Sequence, residues 1–248
     1  MLNWHELIYK IAKVESIIRK ELKKIFKKDV GRAAGLLRLH FHDCFVQGCD
    51  SSVLLDGSAG GPKIVHKQCG RVVSCSDIVA IAARDSVFLT GLDYDVLLGR
   101  RDGVNFARVN QTFVDLVGPD ANTTTILVKL ARKKLDATDA VALSGSHTIG
   151  IGHTTSFTDR LYPTQDPTMD KTFAKSLKRT CPKPDTRNTT FLDIRSPNKF
   201  DNNFHDQDGE LNVLTGKQGE IRANCSARNS DNKLLVYVAE EEMDHLLK

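Results

Sequence analysis

A helical fold follows from the spacing of apolar residues in this chain. Three stretches carry the prediction. Residues 1–29 place Leu7, Ile11, Val14, Ile18, Leu22, Ile25 and Phe26 at helical intervals. From Arg32 to Phe41, Ala33, Ala34, Leu36, Leu37 and Phe41 mix three- and four-residue steps with no proline. Val72–Gly91 repeats the pattern with Ile78, Val79, Ile81, Ala82 and Val87. With 248 residues, 40% of them hydrophobic, the chain can hold one large domain or two small ones.

Taken in order, helix 1–29 has a basic face of Arg19, Lys20, Lys23, Lys24, Lys27 and Lys28, which is expected to be solvated surface. The opening residues lack the apolar core of a secretory signal, so no signal peptide is expected in this chain. In the second helix Arg38 and His42 are four apart and share a face. The imidazole can take and return a proton, while the guanidinium can only stabilise negative charge. That pairing suits cleavage of a weak acid whose leaving group departs as an anion, such as the O–O bond of hydrogen peroxide. A helical Arg–His pair is also commonplace surface, so the neighbouring residues decide. His40 is about 200° around the helix from His42, which makes shared metal ligation by the two awkward. Asp43, Asp50 and Ser52 supply oxygens around Gly48, the cluster a hard cation wants, and Cys44 and Cys49 are close enough for a local disulfide across an FVQG turn.

Residues 56–67 read as a loop through Gly57, Gly60, Gly61 and Pro62. Ser74 or Ser76 can cap the helix after it, where Asp77, Arg84 and Asp85 suit capping and ion pairs. Residues 115–122 form a turn. Thr123–Ser144 is helical with a break near Asp136, and it leads into ALSGSHTIG around His147. Ser226–Lys248 is a polar extension.

Composition narrows the function classes. A net charge of +4 and a single Trp give no support to nucleic-acid binding, and no run is long enough to cross a bilayer, so neither nucleic acid nor membrane is an expected partner. Six cysteines and the sequons at Asn110, Asn122, Asn188 and Asn224 are compatible with an oxidising compartment and secretion.

The run RLHFHDCFVQGCDSSVLLDG (Arg38–Gly57) resembles the distal-haem segment of the plant secretory (class III) haem peroxidases, and ALSGSHTIG resembles their proximal segment. VLLGRRDG (Val96–Gly103) and LDIRSPNKFDN (Leu192–Asn202) are similar to two further motifs of that family. The resemblance implies an all-α, haem-peroxidase-like fold, shortened by internal deletions, with distal and proximal helices sandwiching haem b. It implies a peroxidase domain over 1–225, distal over 1–115 and proximal over 116–225, followed by the extension 226–248.

Carried over residue by residue, Arg38 and His42 are the catalytic pair, Phe41 lies against the haem edge and His147 is the axial ligand of the iron. One calcium falls to Asp43, Val46, Gly48, Asp50 and Ser52, and a second to Thr148, Asp193, Ser196, Lys199 and Asp201. Asp206 would bond the axial histidine, and Val117 stands at the substrate edge where the family has proline. Lys63 occupies the place of the asparagine that orients the distal histidine. The family pairings are Cys44–Cys49 and Cys75–Cys225, which leaves Cys69 and Cys181 without family mates; Thr154 stands where the mate of Cys181 would be. The implied activity is reduction of hydrogen peroxide with oxidation of phenolic or similar small aromatic donors, by an extracellular or vacuolar monomer. The alternative is a peroxidase-fold protein that binds haem and calcium but has lost turnover with the missing segments.

Overall fold

The computed structural model describes residues 4–55, 72–169, 171–194, 196–201 and 219–220. Its helices are α1 (Trp4–Phe26), α2 (Arg32–Gln47), α3 (Cys75–Thr90), α4 (Val109–Asp115), α5 (Thr123–Arg132), α6 (Ala137–Gly145) and α7 (Lys171–Thr180). Two short antiparallel ladders accompany them: β1 (Asp102–Gly103) pairs with β4 (Gly219–Glu220), and β2 (Ile151–His153) with β3 (Thr189–Phe191). The architecture is all-α, as the sequence predicts. The described residues fall into two units divided between Leu116 and Val117, with 219–220 belonging to the first.

The first unit is built on α3, which is buried along nearly its whole length. Val79, Ala80, Ile81, Ala83 and Val87 are all buried, as befits a helix at the centre of a core. Two of its hydroxyls bond within the helix, Ser86 Oγ donating to the Ala82 carbonyl at 2.7 Å and Thr90 Oγ1 to that of Ser86 at 2.8 Å. Ser74, of the two capping candidates, is the one that accepts from the Asp77 amide, at 3.0 Å. Gly91, at φ 145°, ends the helix in a conformation that side chains disfavour. Against α3 lies the i, i+4, i+8 stripe of α1: Val14, Ile18 and Leu22 are buried with Ile81, Ala82 and Val73. Each such aliphatic contributes about 1.5–3 kcal/mol by leaving water.

Arg19 departs from the solvated face expected of it. Its Nη2 and Nε reach Asp85 Oδ1 and Oδ2 at 2.8 and 3.1 Å, and its guanidinium lies 4.4 Å over the Phe88 ring. Arg84 closes the network, binding Asp85 Oδ1 through Nε at 3.0 Å and Glu15 through Nη1 at 3.0 Å. A carboxylate with no solvent exposure needs this company, so Asp85 draws Arg19 inward from the basic face.

The turn Leu97–Gly103 clasps the start of α3. Asp77 Oδ2 accepts the Gly99 amide at 2.9 Å and Oδ1 the Arg100 amide at 3.2 Å. In return, Asp102, fully buried, accepts the Ser76 amide at 3.0 Å. Burial raises the pKa of Asp77, and the two amides and Arg100 oppose that rise.

In the second unit, Asn122 caps α5 and Asp136 caps α6. The expected break near Asp136 is the gap between these two helices, where Lys134 takes a left-handed φ of 62°. Leu130 is buried, while Leu127 and Val141 are exposed. A second core gathers Leu161, Ala174, Leu177 and Cys181. Cys181 is a free, buried thiol, and buried Thr154 donates its hydroxyl to the Thr186 carbonyl. Helices α4 and α7 and both ladders were not anticipated in the sequence.

Candidate functional site

Helix α2 carries the first group of predicted site residues. It runs five residues beyond His42, the last residue the sequence places on it, and reaches Gln47, because nothing before Gly48 breaks it. Asp43, Cys44 and Val46 are therefore helical rather than part of a loop. Arg38, exposed, donates from Nε to His42 Nε2 at 3.2 Å. A guanidinium nitrogen can only donate, so Nε2 is the accepting nitrogen of His42 and its ring proton sits on Nδ1. The His42 ring meets Phe41 edge-on at 5.9 Å, and Phe41 stacks on buried Phe45 at 4.8 Å. His42 is thus held by the Phe41 ring and the Arg38 guanidinium.

His40 is held elsewhere, with Nδ1 3.5 Å from Cys44 Sγ. Burial, and after it the charge of Arg100, lowers its pKa to about 4, so it is a neutral packed histidine at ordinary pH.

The α2 end and the turn after it bring together the residues of the first candidate cation site. Cys44 and Cys49 are disulfide-bonded across it. Asp43 and Asp50 are both buried carboxylates. Gly48 is pressed onto the end of the helix so closely that a Cβ there would sit 1.9 Å from the Asp43 carbonyl oxygen and 2.9 Å from the Asp50 amide. Asp50 Oδ1 accepts the Ser52 amide at 2.9 Å, and its carbonyl accepts the Gly103 amide at 2.8 Å. Two buried carboxylates with hydroxyl and carbonyl oxygens nearby match the donor set of a calcium ion.

In the second unit, α6 ends at Gly145 and a single 3₁₀ turn, Ser146–Thr148, presents His147 to solvent. His147 Nδ1 lies 3.1 Å from the Ser144 carbonyl. A carbonyl only accepts, so Nδ1 carries the proton and Nε2 keeps its lone pair, the form that can ligate a metal.

Thr148 begins the second candidate cation site. Its Oγ1 lies 3.1 Å from Asp201 Oδ1 and 3.5 Å from Asp193 Oδ2. Ser196 Oγ lies 2.7 Å from Asp201 Oδ2 and 3.2 Å from Asp193 Oδ2, and the Ser196 amide donates to Asp193 Oδ1 at 3.2 Å. Lys199 donates its amide to the Ser196 carbonyl at 3.0 Å and holds its ammonium 4.0 Å from Asp201. Two carboxylates sharing two hydroxyls repel each other, and an oxygen-seeking cation relieves that repulsion.

Among the described residues no three His, Cys, Asp or Glu side chains gather as metal ligands, so both sites depend on hydroxyl and backbone oxygen. Val117, half-buried, lies between α4 and α5. Cys75 is disulfide-bonded, and its expected mate Cys225 lies outside the described residues, as do Cys69, Lys63 and Asp206. The Asp77–Asp102 clasp and the Asp50–Gly103 contact were missed in the sequence. The GRRDG run was their only signal, and it marks a turn without saying what the turn holds.

No helix among the described residues is long and apolar enough to cross a membrane. A family model described as peroxidase matches residues 18–63 and 61–236. Peroxidase 12 of Arabidopsis thaliana is 46% identical over 95% of this chain and 85% of its own length. Cationic peroxidase SPC4 of Sorghum bicolor is 44% identical with the same coverage of each. Peroxidase 2 of Oryza sativa is 36% identical over 86% of this chain and 88% of its own. The match with the first relative spans 303 aligned positions against the 248 residues here, so at least 55 positions face gaps in this chain, which accords with internal deletions.

Proposed function

This chain belongs to the plant class III peroxidase family, and from that premise we propose that Arg38 and His42 act as its catalytic pair on hydrogen peroxide, with His147 holding haem b. The protein is a peroxide-dependent oxidoreductase. The observation that carries the residue roles is the 3.2 Å contact from Arg38 Nε to His42 Nε2. It sets a fixed positive charge beside the one imidazole nitrogen able to accept a proton.

Haem, when bound, supplies the redox chemistry, namely reduction of peroxide by two electrons and their recovery from two donor molecules. Everything else falls to side chains. His42 Nε2 takes the proton from one peroxide oxygen and delivers it to the other, which leaves as water. Arg38, exposed and able to turn off Nε2, stabilises the negative charge on that departing oxygen. Phe41, stacked on Phe45, keeps the His42 ring from rotating out of line. His147, with its proton committed to Ser144, offers Nε2 to the iron. Val117 borders the approach of phenolic or similar small donors. Calcium fits both oxygen clusters. The disulfide-bonded cysteines and the exposed sequons Asn110, Asn122 and Asn188 suit an extracellular or vacuolar monomer. The reading of a protein without turnover gains nothing from relatives named peroxidases over nearly the whole chain.

The test is kinetic and spectroscopic together. His42→Ala lowers the rate of reaction with peroxide by roughly 10²–10⁴-fold while the haem Soret band stays in place, and His147→Ala alters that band through loss of the axial ligand. Wild-type rates in His42→Ala, or an unchanged spectrum in His147→Ala, would refute the assignment.

A further inference from the structure

The first cation site is held from outside its own loop. Gly103, from strand β1, lies against Asp50 in two ways. Its amide donates to the Asp50 carbonyl at 2.8 Å, and its Cα faces the Asp50 carboxylate so closely that a Cβ would come within 2.5 Å of Oδ2 and 2.9 Å of the Asp50 Cβ. Gly103 is itself fixed on both sides. Its neighbour Asp102 holds the Ser76 amide at the start of α3, and β1 pairs with β4, Gly103 opposite Gly219. Asp50 Oδ1 is oriented from the other direction by the Ser52 amide. The carboxylate therefore lies between an amide of its own turn and the bare Cα of a residue 53 positions away.

We infer that Gly103 is a positioning residue for the first calcium site, setting the carboxylate of Asp50 through its amide and through having no side chain. The inference rests on the proposal that Asp43, Val46, Gly48, Asp50 and Ser52 bind calcium. Its physical content is a difference between two states. Without the ion, the Asp50 carboxylate can turn away from an added methyl group, which leaves only the 2.9 Å approach to the Asp50 Cβ to be relieved by a small backbone shift. With the ion, the carboxylate is tied to the metal and cannot turn, so the methyl opposes calcium more than it opposes folding. Groups that orient a metal ligand in this way carry roughly 10–100-fold of metal affinity.

The experiment is calorimetric titration of calcium chloride into the full chain after chelator treatment, with melting recorded in chelator and in calcium. Asp50→Asn removes one class of sites. Gly103→Ala weakens that same class roughly 10–100-fold, leaves the other class unchanged, and lowers the melting temperature more in calcium than in chelator. If Asp50→Asn leaves the isotherm unaltered, the calcium assignment is wrong and the inference falls with it. If Asp50→Asn removes a class but Gly103→Ala binds like the wild type, or loses equal stability with and without calcium, the positioning role alone is wrong. Wild-type protein supplies a check that no folding defect can obscure. Calcium must slow hydrogen exchange at the Gly103 amide, because a group that favours binding is itself stabilised by binding. Unchanged exchange there overturns the inference.

Discussion

Replacing Asp85 by asparagine removes the charge at the centre of the α1–α3 network while keeping its shape. Asp85 has no solvent exposure and faces both guanidiniums, Arg19 Nη2 at 2.8 Å and Arg84 Nη2 at 2.9 Å. Removing one partner of a buried ion pair costs about 3–5 kcal/mol, mostly through the charge left behind. Two features pull this case to the lower end. Arg19 keeps 35% of its side-chain surface in water and its seat over Phe88, and Arg84 keeps Glu15 at 3.0 Å. A loss of about 3 kcal/mol, at roughly 2–4 °C per kcal/mol for a chain of this size, lowers the melting temperature by about 6–12 °C. Differential scanning calorimetry and urea midpoints measure it. Arg19→Met is the control and costs under about 1 kcal/mol, because Asp85 then still has Arg84. An Asp85→Asn cost below about 1 kcal/mol, or one no larger than that of Arg19→Met, would show that the pairing contributes little and that packing alone joins α1 to α3.

Two further outcomes follow from groups already described. His40 has a folded pKa of about 4, below its ordinary 6.5, so the unfolded chain binds the proton first as pH falls. The stability it contributes is whole above about pH 6.5, is lost as pH drops towards 4, and amounts to at most about 3 kcal/mol; urea midpoints for His40→Leu should be flatter across that window, and parallel profiles would sink the idea. Gly48→Ala would place a Cβ 1.9 Å from the Asp43 carbonyl oxygen, a backbone atom that cannot swing aside; it should cost about 3 kcal/mol or more and uncouple the Cys44–Cys49 turn from α2, so a folded variant with wild-type melting would contradict the geometry.

The parts of this protein that were legible in the sequence are those whose determinants are local. The stripe Val14, Ile18 and Leu22 announced α1, the pair Ser74 and Ser76 announced the start of α3, and Asp136 announced the break before α6. Each works within a turn or two of itself. Non-local determinants stayed hidden. Arg19 looked like its lysine neighbours until Asp85, 66 residues away, was seen to claim it. Asp102 and Gly103 read only as a turn, because Ser76 and Asp50 approach them solely in the fold. The continuation of α2 past His42 went unread because a cluster of oxygen-bearing residues looks like a loop, yet Asp43 to Gln47 contain no helix breaker. In the site, Arg38 and His42 were legible as an i, i+4 pair. Thr148, Asp193, Ser196 and Asp201 were legible only through family resemblance, since no spacing rule joins the first to the other three.

The bond from His147 to the Ser144 carbonyl has a consequence for what can tune a metal at that imidazole. The acceptor belongs to the main chain of the last turn of α6, so the azimuth of the ring is tied to the backbone like a vane to its shaft. Neighbouring side chains can alter the charge the ring feels without reorienting its plane. A change that rewinds the end of α6 would therefore swing the ring with it.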